Sequence, residues 1–339
     1  MYILANLNII GNGFDLYHGL PTSYYYFACY LVSKREDIYD DWAKMYGFHS
    51  GIYHHFTEDF DRQIDDVGYW RNFENNLAFL SSDWVEDSLP DDLNLENSDA
   101  VQLTVDAPDH VEELLELLDD WIKETVDTDN NFKIVDEMLG ENRLTFDPAD
   151  AFITFNYTHT LEKIYMLRNV LHIHGESGCG YSPTPLIIGH GHDDVINKMH
   201  TTIEELNPYW FEQGANNRIT EYNFEIEILT RLKKPVDRCL PILQNFIHNF
   251  GHPDAICAYG FSFGDVDMPY MKLIRETWPD CPWRFSYRSD YSKDTLAKTA
   301  SSLGLNLSQY EMFQFKNAQS KNILNRLVKE NGITEYPKF

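Results

Sequence analysis

The stretch from Leu7 to Tyr24 constrains this chain most. An apolar run, Leu-Asn-Ile-Ile, breaks into Gly11-Asn12-Gly13 and then into polar residues that open a helix. The pattern reads as strand, tight turn and helix start. Two glycines in the turn permit positive φ and let another molecule approach the backbone, and amides at a following helix start can face an anion. One Gly-x-Gly turn after one strand fits a phosphate cradle and a purely structural βα turn equally well, so later stretches must decide.

Those stretches repeat the theme. Ala151-Phe-Ile-Thr-Phe155 is a β-rich run ending in Asn156-Tyr157-Thr158 and followed by a helical run from Leu161 to Leu167. Asn169 to His174 alternates with period two and stops at Gly175, and Pro185 to Gly189 resembles a further strand. Helical segments follow at 203–206, 222–232 and 240–250. Asp254 to Tyr259 then returns to strand character and runs into Gly260-Phe-Ser262-Phe-Gly-Asp265. The helix 269–277, strand 283–287, helix 292–303 and strand 310–315 complete the alternation. Strands alternating with helices predict an α/β fold with a mainly parallel sheet and helices on both faces. Residues 1–33 with 151–339 are assigned to this domain, 34–150 to a helical, acidic insertion, and 196–250 to a second helical insertion within it.

Charge narrows the partners. The chain of 339 residues carries a formal charge of −27, and fourteen of its acidic residues fall between Asp83 and Asp120 with no Lys or Arg among them. Such a run reads as a solvated face, and the overall field disfavours broad binding to nucleic acid or an anionic membrane. Any anionic ligand must be held mainly by backbone amides and neutral donors, with a small local basic site left open. Cys29, Cys179, Cys239, Cys257 and Cys281 are odd in number and form no Cys-x-x-Cys pair, which suits a reducing cytoplasm and no structural zinc ribbon. The first ten residues are read as a strand and its lead-in, not a signal peptide, and no apolar run approaches the ~20 residues of a membrane span.

In open parallel sheets ligands bind beyond the carboxyl ends of the strands. The polar turns at Gly11, Asn156, His174 and Gly260 are expected to converge there. At these residues a resemblance becomes specific. Gly11-Asn-Gly-Phe-Asp-Leu-Tyr-His-Gly-Leu-Pro-Thr-Ser-Tyr24 resembles the glycine-rich signature of sirtuins, Phe155-Asn-Tyr-Thr158 their Gln-Asn-Ile-Asp turn, and His174-Gly175 their catalytic His-Gly. More closely, Ile-Gly-Asn-Gly-Phe-Asp, Phe-Asn-Tyr-Thr-x-Thr-Leu-Glu and Gly-x-Ser-x-x-x-Val-Asp resemble the bacteriophage abortive-infection AbiH family. The resemblance implies a sirtuin-like Rossmann domain that binds NAD+, cleaves its nicotinamide glycosidic bond, and serves phage defence.

Carried over residue by residue, Asn156 positions the ribose and the attacking water, and His174 acts on the ribose hydroxyls. Gly11, Asn12 and Gly13 face the pyrophosphate, and Gly260 and Ser262 hold the adenosine side. Asp15, His18, Pro21, Thr22, Thr158, Gly175 and Asp265 complete the implied binding set, with Asp15 as a ribose ligand. No zinc module is present, which argues against a deacylase. NAD+ and a phage-derived trigger or partner protein are the partners this implies, with self-association open and no metal expected.

Gly260-Phe-Ser-Phe-Gly264 matches a hydrolase nucleophile elbow by letter, but no His follows His252, which removes the required base. His172, His174, His190 and His192, followed by Asp193 and Asp194, form two His-x-His pairs that suit a metal-dependent hydrolase. A module that binds NAD or ADP-ribose without cleaving it, or an interaction protein docking through the acidic insertion, remains as an alternative. Glu74, beside an apolar helix face, reads as a helix-edge carboxylate.

Overall fold

The computed structural model describes residues 5–47, 70, 72–89, 113–178, 186–209 and 212–333. Most of the acidic run, residues 90–112, lies outside these, as do Phe48, Tyr53, Phe56 and Phe60. The chain divides into two compact units. The first, residues 1–23, 119–187 and 235–333, carries the sheet, and the second, residues 24–118, 188–234 and 334–339, is helical where described.

Six parallel strands build the first unit: β1 (Leu7–Ile10), β2 (Ala151–Thr154), β3 (Val170–His172), β4 (Ile256–Tyr259), β5 (Trp283–Tyr287) and β6 (Tyr310–Gln314), in the order β3-β2-β1-β4-β5-β6. β1 pairs in register with β2 at Leu7–Ala151 and with β4 at Leu7–Ile256, so the three strands end level. Side chains alternate between faces. Leu7, Ile9, Ala151, Ile153, Ile256, Ala258, Trp283 and Phe285 enter one core. It is closed by Cys239, Leu243 and Ile247 of the helix Val236–Phe250 and by Tyr270, Met271 and Ile274 of the helix Met268–Thr277. The opposite face is aromatic: Phe14 packs against Phe146, Tyr165, Tyr259 and Phe315, and Phe152 against Phe146. Burial on both faces explains why the central strands β1, β2 and β4 are mostly apolar.

The structure differs from the sequence reading at several points; the helix read at 203–206, for one, spans Asp193–Leu206. No strand forms at 186–189. Only an isolated bridge joins His190 to Lys233, and a Cβ on Gly189 would meet the Leu232 carbonyl oxygen at 2.5 Å, so backbone packing there leaves no room for an ordinary strand residue. The helix Ser320–Glu330 was not anticipated, because only Ile323 and Leu327 bury on it. The sheet unit also takes in residues 119–150 and 235–250, since Phe132, Val135, Leu139, Leu243 and Ile247 are buried there, whereas 24–33 joins the helical unit.

In the helical unit, Phe27, Tyr39, Trp42, Trp70 and Phe73 form an aromatic core, with Trp70 stacked on Phe73 at 4.8 Å. Glu74 accepts from the Tyr24 hydroxyl at 2.6 Å and from the Lys234 ammonium at 2.6 Å, and the Lys234 side chain is buried. No helix among the described residues is long and apolar enough to cross a membrane.

Candidate functional site

Strand order reverses between β1 and β4, and the glycine turns of both strands meet at that point. The Gly11 N–H extends the ladder to the Tyr259 carbonyl at 3.1 Å, and the Gly13 N–H donates to the Gly260 carbonyl at 2.8 Å. The backbones are in contact. A Cβ on Gly260, which has φ +58°, would lie 2.3 Å from the carbonyl carbon of Gly13, and one on Gly11 would lie 2.6 Å from the Phe261 Cα. The glycines are therefore required by strand-end packing, whatever else they hold. The Gly13 amide is spent on Gly260 and does not stand open to a phosphate. Asn12 is exposed, and its side chain donates to the Thr22 carbonyl at 3.0 Å.

Asn156 joins this group from the end of β2. Its side-chain amide donates to the Gly11 carbonyl at 3.1 Å, and its backbone N–H donates to the Thr154 hydroxyl at 3.1 Å. It is 8% exposed. Asp15 lies in the buried interior: its two oxygens accept from the hydroxyls of Thr158 at 2.6 Å and Thr160 at 2.7 Å. Burial pushes its carboxyl up from 3.8 to about 6, against the lowering effect of both hydroxyls. Thr158 is thus turned toward Asp15, and the pair ties the first helix to the β2 turn.

His18 is fully buried. Its Nδ1 lies 2.7 Å from the Phe14 carbonyl, which only accepts, so Nδ1 carries the hydrogen and Nε2 accepts from the Tyr165 hydroxyl at 2.7 Å. Burial pushes this imidazole down to about 4, so it is a neutral core residue. Pro21 is buried and the Thr22 hydroxyl is buried without a partner among the described residues.

His174 is 2% exposed, with Nε2 3.3 Å from the Tyr270 hydroxyl and 3.9 Å from Asp267 Oδ1, and its ring lies edge-on to Phe155 at 5.0 Å. Gly175 turns the chain out of β3 with φ +84°. Ser262 and Asp265 are both exposed on the β4 turn, and the buried Phe261 and Phe263 anchor that turn from either side of Ser262. The structure thus gathers Gly11, Gly13, Asn156 and Gly260 in one place and turns Asp15 and His18 inward.

The two His-x-His pairs do not form the arrangement their spacing suggested. His172, the last residue of β3, faces Glu162 at 3.0 Å, while His174, past the strand end, faces Tyr270. His190 contacts the Leu229 carbonyl and His192 the Asn75 side chain. No group of three or more His, Cys, Asp or Glu among the described residues is arranged to hold a metal. Sequence reasoning passed over His159, Glu162, Glu176 and Asp267, although Glu162 and Asp267 sit inside the quoted motifs. Their signal was position: each lies within eight residues of Asn156, His174 or Ser262.

No curated protein and no solved structure matches the chain significantly. A family model does, that of bacteriophage abortive infection AbiH, over residues 7–287, which takes in the turns after β1, β2, β3 and β4. With most of its length matched, the chain belongs to the bacteriophage abortive infection AbiH family.

Proposed function

We propose that this protein acts in abortive infection by holding NAD+ beyond the carboxyl ends of β1, β2 and β4 and hydrolysing the bond between nicotinamide and ribose. The observation that carries the reading is the strand order: β3-β2-β1-β4-β5-β6 has its switch point between β1 and β4, where Gly11, Asn156 and Gly260 meet. Parallel sheets of this order take dinucleotides in that crevice. In the reaction, water attacks C1′ of the ribose, the glycosidic electron pair leaves with nicotinamide, and one proton passes to solvent, so that NAD+ and water become nicotinamide, ADP-ribose and H+. Asn156 would orient the ribose and the water. His174, held between Tyr270, Asp267 and Phe155, would act on a ribose hydroxyl.

The burial of Asn156 and His174 favours a second reading, a module that holds NAD+ or ADP-ribose without cleaving it. Incubation of the full-length protein with NAD+, alone and in phage-infected lysate, with nicotinamide followed by chromatography, separates the two. Release that falls about 100-fold or more in Asn156→Ala and His174→Ala supports hydrolysis. Calorimetric binding of NAD+ without release supports the holding module. Neither binding nor release overturns both.

A further inference from the structure

The turns after β2 and β3 bring five titratable side chains into one line of contacts beside Asn156. His172 lies with Nδ1 3.1 Å from the Asn156 carbonyl oxygen and Nε2 3.0 Å from Glu162 Oε1. A carbonyl oxygen only accepts, so Nδ1 carries a hydrogen. An ionised carboxylate also only accepts, so the second contact needs a further proton, held on the ring or on the carboxyl. Glu162 Oε2 is buried with no partner among the described residues, which leaves the bond to His172 to set the carboxyl's orientation. The His172 side chain is itself only 7% exposed.

His159 repeats the pattern one step out. Its backbone N–H donates to Asp127 Oδ1 at 3.0 Å, its Nδ1 bonds the other Asp127 oxygen, and its Nε2 lies 3.2 Å from Glu176 Oε2. The same Glu176 oxygen is 3.8 Å from His172 Nε2, and the two imidazole rings are 5.6 Å apart, so the two pairs form one network. The bond to Asp127 pushes the His159 imidazole up to about 9, so that ring is a fixed cation beside two carboxylates.

The inner end of the network is Asn156. Its side-chain amide donates to Gly11, its N–H donates to Thr154, and its backbone carbonyl is met by His172. With its side-chain amide, its N–H and its carbonyl each held by a different partner, Asn156 cannot turn about its backbone or side-chain bonds without breaking one of these contacts. We propose that His172 and Glu162 are positioning residues that aim Asn156, with His159, Asp127 and Glu176 holding that pair in place. The inference rests on reading Asn156 as the group that orients the ribose.

The experiment uses the full-length protein labelled with 15N-asparagine, the Asn156 signals being identified by their loss in Asn156→Gln. In Glu162→Ala and in His172→Ala, the Asn156 side-chain and backbone amide signals move and their exchange with D2O quickens at least tenfold. In Glu162→Gln, whose amide can still bond the ring, they stay near the wild-type positions. A nicotinamide assay on the same proteins shows kcat lowered about 10- to 100-fold in the alanine variants with KM little changed. Near-UV circular dichroism reports whether each variant folds, and if His172→Ala does not, Glu162→Ala alone decides. Folded alanine variants with unmoved Asn156 signals overturn the positioning role, whether or not NAD+ is cleaved. Moved signals in a protein that never releases nicotinamide leave the positioning role standing and count against the hydrolase reading instead.

Discussion

Asp15 and His18 lie three residues apart, both are fully buried, and burial shifts them in opposite directions. The Asp15 carboxyl is raised to about 6, so the folded state favours its protonated form: its contribution is full below about 4 and is lost as pH rises through about 6. His18 is lowered to about 4 from 6.5, so its contribution is full above 6.5 and is lost as pH falls through about 4. Each is on the order of 3 kcal/mol and they offset one another between pH 4 and 6. Removing either reveals the other. Asp15→Asn should make the melting temperature climb from pH 4 to 6.5, and His18→Gln should make it fall over the same range. Parallel curves for the wild type and both variants would contradict this. Neither role could be read locally, because the partners of Asp15 are Thr158 and Thr160, 143 and 145 residues away. The inward turn of His18 had a weaker trace, its spacing of four from the apolar Phe14 on one helical turn.

Among the elements, the β4 turn bears most on the site. Gly260 combines φ +58° with a Cβ position 2.3 Å from the Gly13 backbone, so alanine there meets both backbone strain and a clash that no side chain can relieve. Overpacking and left-handed strain cost about 1–3 kcal/mol each, and Gly260→Ala should lose about 3 kcal/mol or more in urea unfolding, with Ser262→Ala as an unaffected control. The turn after β2 offers a test of opposite kind. His159 is raised to about 9 by Asp127, so its contribution is full below 6.5 and is lost as pH rises through about 9. The wild-type melting temperature should drop between about pH 6.5 and 9 more than that of Asp127→Asn. A drop of equal size in both would place the alkaline sensitivity elsewhere. Strand–turn–helix segments were legible because their signals are local: period-two alternation and glycine at the exit. The run at 186–189 misled for the same reason, since three apolar residues before a glycine cannot report that no neighbouring strand is there to pair with.

At the scale of the whole molecule, a charge of −27 sets the background for all of these effects. Self-repulsion destabilises a compact state and is screened by salt, so the melting temperature should rise between about 20 mM and 500 mM NaCl. A fall would mean that ion pairs such as Arg35–Asp37 and Lys163–Asp129 outweigh the repulsion. The sequence by itself determined the class of fold, the parallel strands and the polar turns at their ends, because periodicity and turn chemistry act over a few residues. It also carried the family, through motifs spread from Ile10 to Asp267. Only the tertiary structure decided the order of the strands, the packing of Gly13 on Gly260, the inward turn of Asp15 and His18, and the line from Asp127 through His159, Glu176 and His172 to Asn156. These depend on which strands pair and in what register, and pairing joins residues whose separation along the chain leaves no local mark.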